Sequence, residues 1–84
     1  MLVIYYTSNF VKKWKKLRNK GRMLERIQTF QENPYNNKLK THKLKGSLAK
    51  YWSFSINYKE RILFGFKKKN EVVFYDFGSH DIYK

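Results

Sequence analysis

The fold is decided by residues 51–66, which read YWSFSINYKERILFGF. Apolar and polar residues alternate in its first half, and a period of two predicts a β-strand with one apolar and one polar face. Lys59 and Glu60 predict a turn, and residues 61–66 and 72–77 predict two further strands that are joined through residues 67–70. Sequential strands with short connections predict a meander. The apolar positions of the first strand are Trp52, Phe54, Ile56 and Tyr58.

Upstream of the meander, the sequence predicts a pair of amphipathic helices. The first helix follows the N-cap candidates Thr7 and Ser8 and runs to about Arg18, because apolar residues recur at i, i+4 and i+7. The second repeats this spacing between a turn at residues 19–21 and the stop at Asn33 and Pro34. The positions predicted to face the core are Phe10, Trp14, Leu17, Met23, Ile27 and Phe30.

The remaining segments complete an α+β domain that we expect to span residues 1–84. Residues 2–6 are an uninterrupted β-prone run and predict a strand buried on both faces near the middle of a sheet. Residues 34–41 predict a surface loop, and Gly46 and Ser47 a turn. The expected architecture is an N-terminal strand, an α-helical hairpin and then a mostly antiparallel sheet of three to four strands. The hairpin covers one face, and the other face, partly open, is the expected binding surface.

The charge of the chain restricts its partners. Nineteen Lys and Arg residues against six Asp and Glu residues give a formal net charge of +13. Such a surface suits nucleic acid, a membrane surface or an acidic protein, and cations interleaved with aromatic residues favour nucleic acid. No apolar run has the roughly 20 residues of a membrane span, and residues 2–6 are too short for a signal sequence. With no cysteine, the composition is compatible with a reducing cytoplasm.

Missing motifs exclude several kinds of chemistry. The sequence has no Gly-rich phosphate loop, no nucleophile elbow and no zinc-ligand spacing, and its two histidines are His42 and His80. Acid–base chemistry by His, Lys, Arg and Tyr remains. That suffices for RNA cleavage, because RNA carries its own nucleophile in the 2′-hydroxyl and needs only a base, an acid and cations.

Three segments carry a resemblance to a known family: HKLKG at 42–46, YWSFSINYKERILF at 51–64 and VFYDFGSHDIY at 73–83. In this order they resemble the RelE/ParE superfamily of bacterial toxins, and within it the RelE/StbE and YafQ-like mRNA interferases. The resemblance implies a RelE-like fold and a ribosome-dependent mRNA endonuclease that works without metal or cofactor. It also implies an acidic antitoxin partner, with the ribosome and mRNA as targets and no membrane association.

The resemblance also assigns roles to individual residues. Arg61 matches the arginine that would contact the scissile phosphate, and His80 the general acid or base. Tyr83 resembles a tail aromatic residue that stacks on a base or assists proton transfer. His42 matches an active-site histidine of YafQ-like members, with Lys43 and Lys45 beside it as RNA-binding residues. Lys12, Lys13 and Lys16 on the first predicted helix are expected to contact ribosomal RNA, since each phosphate contact adds salt-dependent affinity.

Some questions stay open at the level of sequence. Trp52 and Phe54 stand where some relatives have lysines, so proton transfer would move to His80 or His42. Each proposed site residue also has an ordinary structural interpretation, such as a solvated cation or a packed ring. Two other functions fit the same fold: a ParE-like toxin that inhibits gyrase, and a catalytically inactive module that binds RNA or the ribosome.

Overall fold

Five strands and two α-helices occur in this computed structural model, which describes residues 2–79 and 82. They are β1 (Val3–Tyr6), α1 (Ser8–Lys16), α2 (Gly21–Glu32), β2 (His42–Lys43), β3 (Trp52–Ser55), β4 (Arg61–Lys68) and β5 (Glu71–Gly78). The strands form one sheet in the order β1-β5-β4-β3-β2, in which β1 runs parallel to β5 and the other neighbours are antiparallel. The predicted α+β architecture with its helical hairpin is confirmed. No helix within the described residues is long and apolar enough to cross a membrane.

Helix α1 begins at a side-chain cap. The Thr7 hydroxyl accepts a hydrogen bond from the Phe10 amide at 3.1 Å and donates one to the Tyr75 carbonyl at 2.7 Å. One residue therefore caps the helix and ties it to β5. The predicted N-cap is confirmed.

Phenylalanine rings form the centre of the core. The Phe30 ring from α2 lies 4.5 Å from that of Phe54, 4.8 Å from Phe64 and 5.4 Å from Phe74. Phe10 from α1 packs at 4.9 Å against Phe77. Aromatic pairs at these separations add attraction beyond the area that they bury. The periodic residues predicted for the core face of α2, Met23, Ile27 and Phe30, are buried.

The position predicted for the first strand is wrong. Strand β1 is an edge strand, and Val3, Tyr5 and Tyr6 are 43–47% exposed. An edge strand can still be rich in tyrosine, because a tyrosine ring can pack against its neighbours while its hydroxyl remains in contact with water. The Tyr6 ring contacts Phe10 and Phe74, and the Tyr5 ring lies under the Lys67 ammonium at 4.7 Å.

The segment predicted as a surface loop, residues 34–41, is in part a structural anchor. It contains a 3-10 helix at Asn37–Leu39, and the Leu39 side chain is fully buried. Because polar residues dominate the composition of the segment, the composition does not indicate that Leu39 is buried. The prediction of a wholly superficial loop is therefore corrected at Leu39.

The turn between β3 and β4 is longer than predicted. Ser55 pairs with Arg61, so residues 56–60 form the connection rather than Lys59 and Glu60 alone. Asn57 orders this turn, since its side-chain oxygen accepts from the Lys59 and Glu60 amides at 2.9 Å. The alternation that predicted the strand thus ends before Ile56, which is buried, and Tyr58, which is 94% exposed.

The sheet face opposite the helices is closed in its middle. Gly65 lets the Tyr75 ring lie close to the sheet, because a Cβ at position 65 would be 3.1 Å from a carbon of that ring. The Tyr75 ring meets the Tyr51 ring edge-on at 5.2 Å. Ser53 and Leu63 are buried on the same face. The room for a ligand on this side therefore lies toward the Arg61 end of the sheet.

Candidate nucleic-acid interface

Arg61 opens β4 at the end of the sheet where several chain segments meet. It pairs with Ser55 of β3 and with Gly78 of β5. Directly opposite residues of neighbouring strands place their side chains on the same face. Only Ser79 lies between Gly78 and His80, so the register brings the chain that leads to His80 beside Arg61. His80 and Tyr83 themselves lie outside the described residues.

Two grooves meet at Arg61. The first, of about 430 Å³, is the basic groove; it is lined by Arg22, Arg26, Lys38, Lys40, Ser55, Asn57, Tyr58 and Arg61. The second, of about 450 Å³, is the Ser79 groove; it is lined by Tyr58, Lys59, Arg61 and Ser79. Tyr58 and Arg61 are common to both. A ligand that passes from one groove to the other would cross these two side chains.

The cations of the basic groove are not neutralised by the described part of the protein. Its lining holds five Lys and Arg residues and no acid. Among residues 2–79 and 82, the Nε atoms of Arg26 and Arg61 are buried and have no hydrogen-bond partner. Glu60 follows Tyr58 in the turn, but its carboxylate accepts from the Asn57 side chain at 3.0 Å. Glu60 thus serves the turn that the sequence predicts at Lys59 and Glu60.

His42 lies apart from Arg61. It begins β2 at the sheet edge, pairs with Ser53, and is exposed. Its Nδ1 lies 3.0 Å from the Lys40 carbonyl, to which it can donate a hydrogen bond. Lys43 and Lys45 follow as exposed cations. This histidine–lysine segment flanks the basic groove through Lys40, which lines it.

The three lysines predicted for RNA on α1 differ in their surroundings. Lys12 and Lys16 are exposed. Lys13 instead forms an ion pair with Asp76 at 2.6 Å and donates to the Phe77 carbonyl at 3.2 Å. Lys13 therefore links α1 to β5, whereas Lys12 and Lys16 remain available to an external anion.

Trp52 and Phe54 do not share the face of Arg61. Phe54 stacks on Phe30 in the core, and Trp52 packs against the Phe66 ring at 5.3 Å. The β3 residues on the face of Arg61 are Ser53 and Ser55, since they pair with Leu63 and Arg61. The apolar pair thus serves packing, and Ser55 stands beside Arg61.

Sequence reasoning missed four cations and an aromatic residue of the basic groove. Arg22 and Arg26 are one helical turn apart on α2, a spacing that places them on one face. That spacing could have been noticed, but only the fold joins these two residues to Lys38, Lys40 and Tyr58. The alternation of residues 52–58 instead predicts that Tyr58 continues the strand.

A separate apolar groove of about 320 Å³ lies between the two helices and β1. Its lining residues are Tyr6, Phe10, Val11, Trp14, Leu24 and Ile27. Leu24 is 54% exposed, which is unusual for a large aliphatic side chain beside other apolar surface. Burial raises the pKa of Tyr6 above its ordinary value, so its hydroxyl stays neutral across the physiological range.

Solved structures of toxins have the same architecture. A copper-bound toxin from Helicobacter pylori aligns with a TM-score of 0.77 and 23% identity over 98% of both chains. YafQ from E. coli aligns with a TM-score of 0.72 and 19% identity, covering 99% of this chain and 98% of YafQ. A YoeB-YefM complex from Staphylococcus aureus gives a TM-score of 0.75 and 22% identity, covering 95% of this chain and 98% of the matched one.

No protein-family model matches the sequence, and no curated protein matches it significantly. The similarity is therefore one of three-dimensional structure, and it covers nearly the full length of this chain and of each matched chain. The order of elements in this chain, a strand, two helices and four further strands, agrees with the predicted strand, helical hairpin and sheet of three to four strands. The chain thus has the fold of the RelE/ParE toxins, and its resemblance to that superfamily is confirmed at the level of the fold.

Proposed function

We propose that residues 1–84 form the toxin of a type II toxin–antitoxin system, a ribosome-dependent mRNA endonuclease that acts in the cytoplasm. The observation that carries the proposal is the position of Arg61, at the junction of two cationic grooves and opposite the strand that leads to His80. A guanidinium in such surroundings suits a phosphodiester, whose charge grows in the transition state.

The proposed reaction uses the 2′-hydroxyl of the substrate. A base, His80 with His42 in support, removes the 2′-hydroxyl proton as the O2′–P bond forms. The P–O5′ bond then breaks, and an acid protonates the leaving 5′ oxygen. Arg61 stabilises the charge that develops on the phosphorane oxygens. The products are a 2′,3′-cyclic phosphate and a 5′-hydroxyl, and water can open the cycle to a 3′-phosphate. Tyr83 is proposed to stack on a base beside this step.

Primer extension on a reporter mRNA during induced expression tests the activity. Stops in phase with codons, present with the wild-type chain and absent with Arg61→Ala, support the proposal. Intact mRNA together with an induced DNA-damage response would instead identify a gyrase-inhibiting toxin. Intact mRNA without that response, from a chain that still binds ribosomes, would identify an inactive binding module.

The proposed partner is an acidic antitoxin that seats apolar side chains in the apolar groove. The exposed Leu24 and Val11 and the half-buried ring of Tyr6 offer such a partner a ready contact. YoeB of Staphylococcus aureus was crystallised in complex with YefM, and YafQ of E. coli with DinJ. Charge complementarity to a chain of net charge +13 would speed association, and apolar burial would hold the complex.

Copurification of an untagged acidic neighbour at moderate salt tests this contact. Leu24→Asp should abolish copurification and leave mRNA cleavage unchanged, because Leu24 lies away from Arg61. Gln28→Asp, an equal charge change at an exposed residue of α2 outside the groove, is the matched control. Retention of the partner by Leu24→Asp would contradict the assignment of this groove.

A further inference from the structure

The basic groove places a cation at the N-terminus of α2, where a positive charge is unfavourable in the free protein. Helix α2 has no acid in its first turn, and its N-cap residue Lys20 makes no side-chain capping bond. Arg22 lies in that same turn, at the helix end where the dipole is positive and where a cation is unfavourable. A purely structural helix start would favour the opposite charge. The arrangement becomes favourable when an anion lies in the groove.

Two arginines of the groove have hydrogen-bond donors that an anion could use. Arg26 donates from Nη1 to the Lys38 carbonyl at 2.9 Å, which fixes its guanidinium at the wall of the groove. Within the described residues, Arg26 and Arg61 each keep a buried Nε without an acceptor. Buried donors of this kind are rare in native proteins. Neither guanidinium is paired with a carboxylate of the described chain.

Tyr58 adds an aromatic surface between the two grooves. Its side chain is 94% exposed, so it contributes almost nothing to the core. The turn that carries it is nevertheless ordered by Asn57, which holds two backbone amides and the Glu60 carboxylate. An exposed ring that is carried on an ordered turn beside cations suits stacking on an unpaired base.

We propose that the basic groove binds the phosphate backbone of a single-stranded RNA and that Tyr58 stacks on a base of the same strand. The strand then runs from Arg22 and Arg26, past Tyr58, to Arg61 and the Ser79 groove. The direction of the strand toward a cleavage position rests on the proposed function. A nucleic-acid strand is favoured over an acidic peptide because each nucleotide offers both a phosphate for the cations and a flat base for the exposed Tyr58 ring.

Binding of a non-cleavable RNA tests the proposal without reference to catalysis. The probe is a short fluorescein-labelled single-stranded RNA with every 2′-hydroxyl methylated, and the readout is fluorescence anisotropy at several salt concentrations. Arg22→Gln should weaken binding and lower the salt slope by about 0.7, the value for one phosphate contact on a single strand. Tyr58→Ala should weaken binding by about 5- to 100-fold without changing that slope. Tyr58→Phe should bind as the wild type does, since stacking needs only the ring.

Lys15→Gln is the matched control, because it removes one exposed helical cation from α1, away from the groove. Equal affinities of Arg22→Gln, Tyr58→Ala and Lys15→Gln would overturn the proposal. So would a poly-glutamate peptide that binds as tightly as the RNA and loses affinity in Arg22→Gln, because the groove would then serve an acidic protein.

Ribosome-dependent cleavage by the wild-type chain is measured separately. Loss of RNA binding in the two variants, with a wild-type chain that cuts no mRNA, supports the groove and contradicts the proposed function. Cleavage by the wild type, with RNA binding unaltered in the variants, contradicts the groove alone.

Discussion

A single guanidinium carries the electrostatic part of the proposed reaction. Arg61→Ala should lower single-turnover cleavage of ribosome-bound mRNA by about 10² to 10³, because it removes a donor aimed at charge that develops in the transition state. Arg61→Lys should restore little, since a point charge lacks the planar fork that binds two phosphate oxygens. Thermal melting of both variants controls for folding. A cleavage rate within threefold of the wild type in Arg61→Ala would remove Arg61 from the mechanism.

The two histidines are expected to contribute unequally. His80→Ala should lower the cleavage rate by about 10² to 10⁴, the usual range for a general acid or base. His42→Ala should cost less, because His42 is exposed at the sheet edge and lies near the Lys40 carbonyl. Single-turnover rates of both variants and of the double variant measure this. Full activity of the double variant would move the base to Lys43, Lys45 or the ribosome.

At the residue scale, the sequence identified what spacing and resemblance can identify. Arg61 was identified through the resemblance, because it matches the arginine that opens the central strand of RelE/ParE toxins, and the structure places it at the junction of two grooves. Arg22, Arg26 and Tyr58 were missed, because Tyr58 lies more than 30 residues along the chain from the two arginines and only the fold brings it into their groove. A residue's exposure, which singles out Tyr58, is likewise a property of the fold.

At the element scale, the join between α1 and β5 depends on Thr7. Thr7→Ala should lower the free energy of unfolding by about 1–2 kcal/mol, because it removes the helix cap and the hydrogen bond to the Tyr75 carbonyl. Thr7→Ser keeps both bonds and should lose little. Urea denaturation of the two variants measures the difference. Equal losses in Thr7→Ser and Thr7→Ala would assign the effect to the Thr7 methyl group.

The lysines of α1 should separate into two classes. Lys12→Ala and Lys16→Ala should weaken ribosome binding and lower its salt dependence, with the saturated single-turnover rate unchanged. Lys13→Ala should instead lower stability by up to about 1 kcal/mol, since it breaks a partly exposed ion pair with Asp76. Ribosome cosedimentation and urea denaturation distinguish the classes. The division fails if Lys13→Ala weakens ribosome binding as much as Lys12→Ala does.

Helix boundaries followed closely from local patterns, but the end of β3 and the position of β1 did not. Both helices agree with the prediction to within about two residues, because caps and apolar spacing are local signals. The placement of β1 was wrong, because a short apolar run reads alike in a central strand and in an edge strand rich in tyrosine. The buried Leu39 was missed, because one leucine among polar residues gives no periodic signal.

At the scale of the whole molecule, strand β5 holds the sheet together. It lies between β1 and β4, and α1 also attaches to it through Thr7 and Lys13. A chain that ends at Asn70 therefore leaves β1 without a strand partner and α1 without its attachment. We expect such a chain to show no cooperative thermal transition, measured by circular dichroism. A chain that ends at Ser79 retains β5 and is the control; a cooperative transition in the shorter chain would contradict this role of β5.

The pairing of β1 with β5 also governs when the sheet can be completed. In the sheet, Val3 pairs with Glu71 and Tyr6 pairs with Phe74, so the two strands are separated by more than 60 residues of sequence. Contacts of such long separation form late in folding. During synthesis, the growing chain therefore cannot complete its sheet before residues 71–78 have been made. Any surface that needs the complete sheet, the two grooves at Arg61 included, forms only after β5 has been synthesised.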